Sequence, residues 1–158
     1  MATPTHTARP IAHRAAFAAA VLAVLSLSGP ARALQLITPG EAALPAAQPL
    51  GESRGISRGP TVVVVSPPPS AGTMKSPVNL RVRFQSHGGS QIDADSVLLT
   101  YMKAPAVDLT QRIKPYIAAS GIDVENAEVP PGTHTLKLNV TDSEGHTSSV
   151  VFSFSVSQ

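Results

Sequence analysis

The feature that most constrains the fold is a strict alternation of apolar and polar residues near the end of the chain. Every second residue is apolar in residues 135–141 (TLKLNVT) and again in residues 150–156 (VVFSFSV). Successive side chains of a strand point to opposite faces, so this period predicts two strands that each have one buried and one wet face. Residues 142–145 (DSEG) separate them and are typical of a hairpin turn, because Gly adopts positive φ without strain.

Earlier segments predict further short strands. Residues 61–66 (TVVVVS) form a β-branched run between Pro-rich stretches, residues 78–85 alternate, and residues 96–103 (SVLLTYMK) precede a proline. Residues 122–129 carry a weaker strand pattern. About six short strands with turn signals between them predict an all-β fold, an immunoglobulin-like antiparallel β-sandwich, with an open barrel as the alternative.

A different pattern interrupts the strands between residues 108 and 120. Leu109, Ile113 and Ile117 recur at four-residue spacing after Asp108, which favours a short helix with an acidic cap. Pro115 fits only the first turn of a helix, so we expect one or two helical turns here.

The first 33 residues have the layout of a secretory signal peptide. Basic residues precede an uncharged apolar run at residues 15–27, and small residues around Ala33 follow a helix-breaking Gly-Pro pair. The apolar run is shorter than the about 20 residues that span a bilayer, so cleavage after Ala33 is favoured over a membrane anchor. The mature chain is therefore expected in the periplasm or outside the cell, without a membrane span.

Residues 34–60 are predicted to form a flexible linker. Pro and Gly interrupt every periodic run in this segment, and it has few large apolar side chains. A docked N-terminal arm is the alternative. These boundaries leave residues 61–158 as the predicted sandwich domain.

Composition excludes several classes of function. Loss of the signal peptide leaves 9 basic and 10 acidic residues, and Arg81 and Arg83 are interpreted as the polar face of a strand, so no nucleic-acid partner is expected. The chain has no cysteine, which excludes disulfides, a lipid attachment site and a cysteine nucleophile. There is no Gly-x-Ser-x-Gly elbow, so we expect no enzymatic activity, and no cofactor is expected.

Three segments resemble bacterial immunoglobulin-like domains: residues 92–97 (IDADSV), 131–136 (PGTHTL) and 140–145 (VTDSEG). The resemblance covers residues 61–158 and implies a sandwich. Domains of this group serve as adhesins, spacers, carbohydrate-binding accessories or partner-binding modules, and the fold does not select among these roles. Residues 107–128 form a longer link than the group usually has, so features specific to this chain are expected there.

Asp142, Glu144 and His146 form a candidate metal site, because the hairpin turn brings two carboxylates and an imidazole close together. This ending resembles periplasmic copper-binding sandwiches, which implies a copper-binding carrier as an alternative function. It departs from that pattern because Glu144 precedes the Gly and because the mature chain would begin at Leu34 rather than at a ligand histidine. The competing interpretation is that these residues only build the turn.

A second candidate site is an apolar patch flanked by basic residues, which would suit sugars or peptides. Its proposed members are Tyr101, Met102, Tyr116 and Ile117, with Lys103 and Lys114 beside them. Ordinary core and edge positions are the alternative. The sequence as a whole predicts an exported noncatalytic binding or accessory module of the cell envelope, monomeric or weakly dimeric, whose partner is an envelope protein or a glycan.

Overall fold

Two β-sheets face each other across an apolar core in the computed structural model, which describes residues 33–48, 58–68 and 71–157. These residues belong to one unit, Arg32–Gln158. Almost all regular structure is strand, so the predicted all-β sandwich is confirmed. The predicted signal peptide, apart from Ala33, lies outside the described residues, as do residues 49–57 of the predicted linker.

Ten strands and three helical turns make up the described structure. The strands are β1 (Leu34–Gln35), β2 (Thr61–Ser66), β3 (Thr73–Lys75), β4 (Val78–Gln85), β5 (Ile92–Tyr101), β6 (Val107–Asp108), β7 (Ile117–Ala118), β8 (Gly121–Glu128), β9 (Gly132–Asp142) and β10 (Thr147–Ser157). The helical turns are α1 (Pro39–Ala42), α2 (Thr110–Ile113) and a 3₁₀ turn (Lys114–Tyr116).

The first sheet has the strand order β1-β8-β4-β2, with β7 also paired to β8, and the second has the order β3-β10-β9-β5-β6. The long strands pair antiparallel, as predicted. Two short pairings are parallel, β1 with β8 and β3 with β10, so the sheets are mixed rather than purely antiparallel. The strands β1, β3, β6 and β7 have at most three residues each, too few to show a period in the sequence.

The alternating patterns place the core as predicted. Along β4, the residues Val78, Leu80, Val82 and Phe84 are buried. On β10, Phe154 is only 4% exposed and packs in the same core. The hairpin turn between β9 and β10 also forms as predicted, with Gly145 at a φ of 83° and its N–H donating to the carbonyl of Asp142.

The predicted helical turns occupy residues 110–116. The N-cap position of α2 is Leu109 rather than the predicted Asp108, and it has no side-chain cap. Asp108 stands one residue earlier, and its Oδ1 accepts the backbone N–H of Thr110 at 2.8 Å. Leu109 and Ile113 are buried in the core. Pro115 stands in the first turn of the 3₁₀ helix, where its missing N–H costs no hydrogen bond. The segment ends on Tyr116, which is 40% exposed beside the first sheet.

Residues 33–48, which we call the arm, differ from the predicted flexible linker. Leu36 and Ile37 are 0% and 1% exposed and belong to the main core. Thr38 and Glu41 form a reciprocal capping box at α1, with hydrogen bonds of 2.9 and 3.3 Å. Residues 33–48 are therefore docked, as the alternative interpretation states. A few apolar side chains are enough, because they pack in a core that residues distant in the sequence form.

No helix among the described residues is long and apolar enough to span a bilayer.

Candidate functional site

The predicted metal ligands do meet at the β9–β10 turn. His146 Nδ1 lies 3.4 Å from Asp142 Oδ2 and 3.5 Å from Glu144 Oε2. His146 is half-buried and Glu144 is exposed, whereas Asp142 is buried. The sequence pattern therefore predicts the proximity of these three side chains correctly.

The carboxylate of Asp142 is occupied by hydrogen bonds from the protein. Its Oδ1 accepts the backbone N–H groups of Glu144 and His146 at 3.0 and 2.9 Å, and its Oδ2 accepts the hydroxyl of Ser90 at 3.1 Å. Burial acts to raise the pKa of Asp142, but these donors outweigh it and hold the pKa below its ordinary value. Among the described residues, no group of three or more His, Asp or Glu side chains has an arrangement that would hold a metal ion.

The predicted apolar patch is divided between core and surface. Tyr101 is fully buried, and its hydroxyl bonds His134 Nδ1 at 2.8 Å. Lys103 is turned towards the arm, where its ammonium donates to the carbonyls of Ala42 and Leu44. Of the two tyrosines, only Tyr116 offers an exposed ring, so the patch does not exist as a unit.

The remaining members of the predicted patch are also separated. Met102 and Ile117 are half-buried, and Ile117 packs against the core. Lys114 forms an exposed ion pair with Asp95 at 3.6 Å.

Tyr116 instead borders a hollow of about 390 Å³ on the outer surface of the first sheet, which we call the β4–β8 hollow. Its lining consists of Arg81, Val82, Arg83, Tyr116, Ala118, Ser120, Gly121, Ile122 and Asp123. Six of these nine residues come from residues 107–128, the segment that was expected to carry features specific to this chain.

The hollow exists because three small residues, Ala118, Ser120 and Gly121, lie between the large side chains of Arg83 and Tyr116. Gly121 pairs with Arg83 across the strands, at a φ of 148°, and a Cβ there would overlap the carbonyl oxygen of Val82. Only glycine allows this close approach of β8 to β4. Ala118 and Ser120 are also small, so the space between Arg83 and Tyr116 stays open.

The two arginines of the hollow differ in their partners. The Nε atom of Arg81 lies 3.1 Å from both carboxylate oxygens of Asp123, and its Nη2 atom lies 3.9 Å from Oε1 of Glu125. Arg83 is exposed and has no ion pair with any carboxylate in the described part of the chain. The positive charge of Arg83 is therefore available to a ligand.

Further exposed groups surround Arg83. Among the residues that the structure describes, the hydroxyls of Tyr116 and Ser120 have no hydrogen-bond partner. On the other side of Arg83, its register partner Val63 is 48% exposed, and Val65 is 39% exposed. A cationic group thus stands between an apolar rim on β2 and a polar hollow.

The sequence does not distinguish Arg83 from other surface residues, because alternation marks every outward residue of a strand as polar surface without ranking them. The distinctive features of Arg83 are the lack of an acidic partner in the described part of the chain and the glycine opposite, and both depend on the pairing of β4 with β8. An Arg-x-Arg pair on a wet strand face was the only local signal.

No protein-family model matches the chain, and no curated protein matches it. Among solved structures, CopC from Methylosinus trichosporium OB3b is 16% identical with a TM-score of 0.43, and the alignment covers 61% of this chain and 92% of that one. An engineered protein is 20% identical with a TM-score of 0.42, over 63% of this chain and 20% of that one.

A Cellulomonas fimi endo-β-1,4-mannanase double mutant is 24% identical with a TM-score of 0.33, over 62% of this chain and 18% of that one. The chain therefore spans about a fifth of the length of the engineered protein and of the mannanase.

Proposed function

We propose that this chain is an exported, noncatalytic immunoglobulin-like module of the cell envelope that binds a partner through the β4–β8 hollow and its rim. The observation that carries the proposal is the exposed pair Arg83 and Tyr116 on either side of the hollow. The partner is an envelope protein or a glycan. The signal-peptide pattern of residues 1–33 supports export.

The position of the two residues suits binding. Tyrosine and arginine are the side chains that most often dominate binding energy, since each combines a large contact area with directional hydrogen bonds. Arg83 projects from the middle of β4, whose inward side chains are fixed in the core, so the backbone that carries it is rigid. Tyr116 follows Pro115, which restricts the chain just before it.

The chemistry of the hollow supports a noncatalytic role. Among the described residues, its lining contains neither histidine nor cysteine, and the one carboxylate there, Asp123, is held by Arg81. The groups that remain suit the binding of a ligand rather than its chemical conversion.

A pull-down with residues 34–158 against a solubilised envelope fraction tests the proposal. We expect a retained partner whose recovery falls at least about tenfold in the double variant Arg83→Ala/Tyr116→Ala, because both anchoring contacts are removed. The matched control is Lys137→Ala/Val151→Ala on the outer face of the second sheet, which should retain the partner. Equal recovery with both variants, or no retained partner, would overturn the proposal.

The second candidate function is a copper-binding carrier at the hairpin. The observation that favours it is the position of His146 Nδ1, 3.4 Å from Asp142 and 3.5 Å from Glu144. It ranks second because the carboxylate of Asp142 already accepts hydrogen bonds from the turn and from Ser90. Calorimetric titration with Cu(II) tests it: stoichiometric binding that disappears in His146→Ala supports a carrier, and substoichiometric binding refutes it.

A further inference from the structure

We infer that the β4–β8 hollow binds an acidic saccharide, with the sugar carboxylate on Arg83 and the sugar ring against Tyr116. This inference rests on the proposed function and specifies its partner as a glycan that carries carboxylates.

Charge selects the carboxylate. Arg81 is already neutralised by Asp123, whereas Arg83 has no acidic partner among the described residues. A guanidinium presents parallel N–H donors that match the two oxygens of a carboxylate. A ligand without a negative charge would leave the guanidinium of Arg83 without an ion pair. A carboxylate would pair with it at the edge of the hollow.

Hydrogen-bonding capacity selects a hydroxyl-rich ligand. The lining offers the hydroxyls of Tyr116 and Ser120 as donors, and the carboxylate of Asp123 keeps further acceptor sites besides those used by Arg81. A sugar hydroxyl both donates and accepts, so a sugar ring uses both kinds of group. The ring of Tyr116 adds an amphipathic wall at the edge of the hollow.

The size of the hollow and the nature of its floor argue against an apolar peptide anchor. About 390 Å³ is within the range of small-ligand sites, about 300–1,000 Å³. The aliphatic lining residues, Val82 and Ile122, are 2% and 1% exposed because their side chains belong to the core. The surface that a ligand meets is therefore made by polar and small residues, whereas the anchors of a protein partner require an apolar pocket.

A chemical-shift titration of ¹⁵N-labelled residues 34–158 tests the inference. The probe is an oligogalacturonate, and the matched neutral probe is its methyl ester, which has the same rings and linkages without the charge. We expect shifts confined to residues around the hollow and an affinity for the acid at least about tenfold above that for the ester, which corresponds to about 1.4 kcal/mol. A hexaglutamate peptide serves as an acidic ligand without sugar rings.

The variant Arg83→Gln should lose this preference for the acid, and Tyr116→Ala should weaken both sugars. Lys137→Gln, on the other sheet, should bind as the unaltered chain does, and the spectra themselves report whether each variant is folded. Equal affinity for acid and ester, equal or tighter binding of hexaglutamate, or no shifts with any probe would overturn the inference. If no saccharide binds while envelope recovery still depends on Arg83 and Tyr116, the inference fails and the proposed function stands.

Discussion

The arm and the C-terminal hairpin are both part of one core, but they are held in opposite ways. The hairpin, residues 132–157, pairs with itself without interruption from Thr147 opposite Thr141 to Val156 opposite Gly132. Among the residues that the structure describes, the arm pairs only through the two residues of β1 and an isolated bridge between Ala46 and Lys103, and it otherwise depends on side chains that are distant in the sequence. The alternation of apolar and polar residues within the hairpin thus predicts its structure. The position of the arm instead depends on distant residues, which the sequence alone does not identify as its partners.

Two basic side chains supply side-chain hydrogen bonds that hold the arm. Lys103 donates to the carbonyls of Ala42 and Leu44 at 2.8 and 2.9 Å. Arg112 donates to the carbonyl of Leu36 at 2.8 Å and to both carboxylate oxygens of Glu41. These carbonyls lack a ladder partner, so the long basic side chains satisfy groups that would otherwise be costly to bury.

The largest effect is expected in the hairpin. Phe154→Ala should lower the free energy of unfolding by about 3–5 kcal/mol, because the removed ring leaves a cavity in a core that relaxes only partly. Lys137→Ala, on the outer face of the same hairpin, should change it by less than about 0.5 kcal/mol. Urea unfolding measures both. A loss below about 1 kcal/mol for Phe154→Ala would mean that this face contributes little to the core.

A slightly smaller effect is expected in the arm. Leu36→Ala should cost about 2–5 kcal/mol in the same cooperative transition, because Leu36 is 0% exposed in the main core. Its neighbour Gln35 is exposed, and Gln35→Ala is the matched control. If the arm unfolded independently of the sandwich, Leu36→Ala would leave the main transition unchanged. The arm and the hairpin would then differ in stability, and not only in how the sequence determines them.

Predictability from the sequence follows the same division. The strands at residues 61–66 and 78–85 and the two strands of the hairpin were predicted from alternation or β-branched runs, since these signals lie within the element itself. The sequence does not predict that the arm docks. Leu36 and Ile37 are two apolar residues without a strand or helix period, and the core that buries them is formed by residues distant in the sequence. Nor does the sequence predict the β4–β8 hollow: Arg83 and Gly121 meet only through the pairing of β4 with β8.

A buried histidine should make the hairpin sensitive to mildly acidic pH. The carbonyl of Pro130 only accepts, so His134 Nε2 donates to it, and Nδ1 must then accept the hydroxyl of Tyr101. Burial, and to a lesser degree the charge of Lys103, lower the pKa of His134. A proton on Nδ1 would displace the hydrogen of the Tyr101 hydroxyl, which has no other acceptor in this site.

The sign of the pH effect follows from this depressed pKa. The unfolded chain binds the proton at a higher pH than the folded chain does, so stability is full above the ordinary histidine pKa of 6.5 and falls as the pH drops below it. The expected loss is about 1–3 kcal/mol, the cost of an unsatisfied buried group. Thermal unfolding between pH 7.5 and 5 measures it. His134→Phe should remove this slope, and a slope that persists in that variant would assign it to another group.

The arm should respond to acid in a lower window. Hydrogen bonds from Arg112 lower the pKa of Glu41 from 4.5 to about 2. Stability from this pair is therefore present above about pH 4.5 and is lost as the pH falls towards 2, because the unfolded chain then binds a proton that the folded chain resists. We expect about 1–2 kcal/mol, since partial exposure of the pair to solvent weakens it.

Glu41→Gln tests this contribution, because glutamine keeps the side-chain oxygen that completes the capping box with Thr38. It removes the charge and replaces one of the two oxygens that accept from Arg112 with an NH2 donor. Unfolding between pH 6 and 2.5 should show the variant less stable than the unaltered chain at the upper end, and this difference should narrow as the pH falls towards the lower end. Other carboxylates titrate in the same range, but they do so in both proteins, and the difference between the two curves cancels them. If the unfolding free energies of the two proteins differed by the same amount at every pH, packing and not charge would hold the arm. The arm would then be held as the hairpin is, without a contribution from the charge of Arg112.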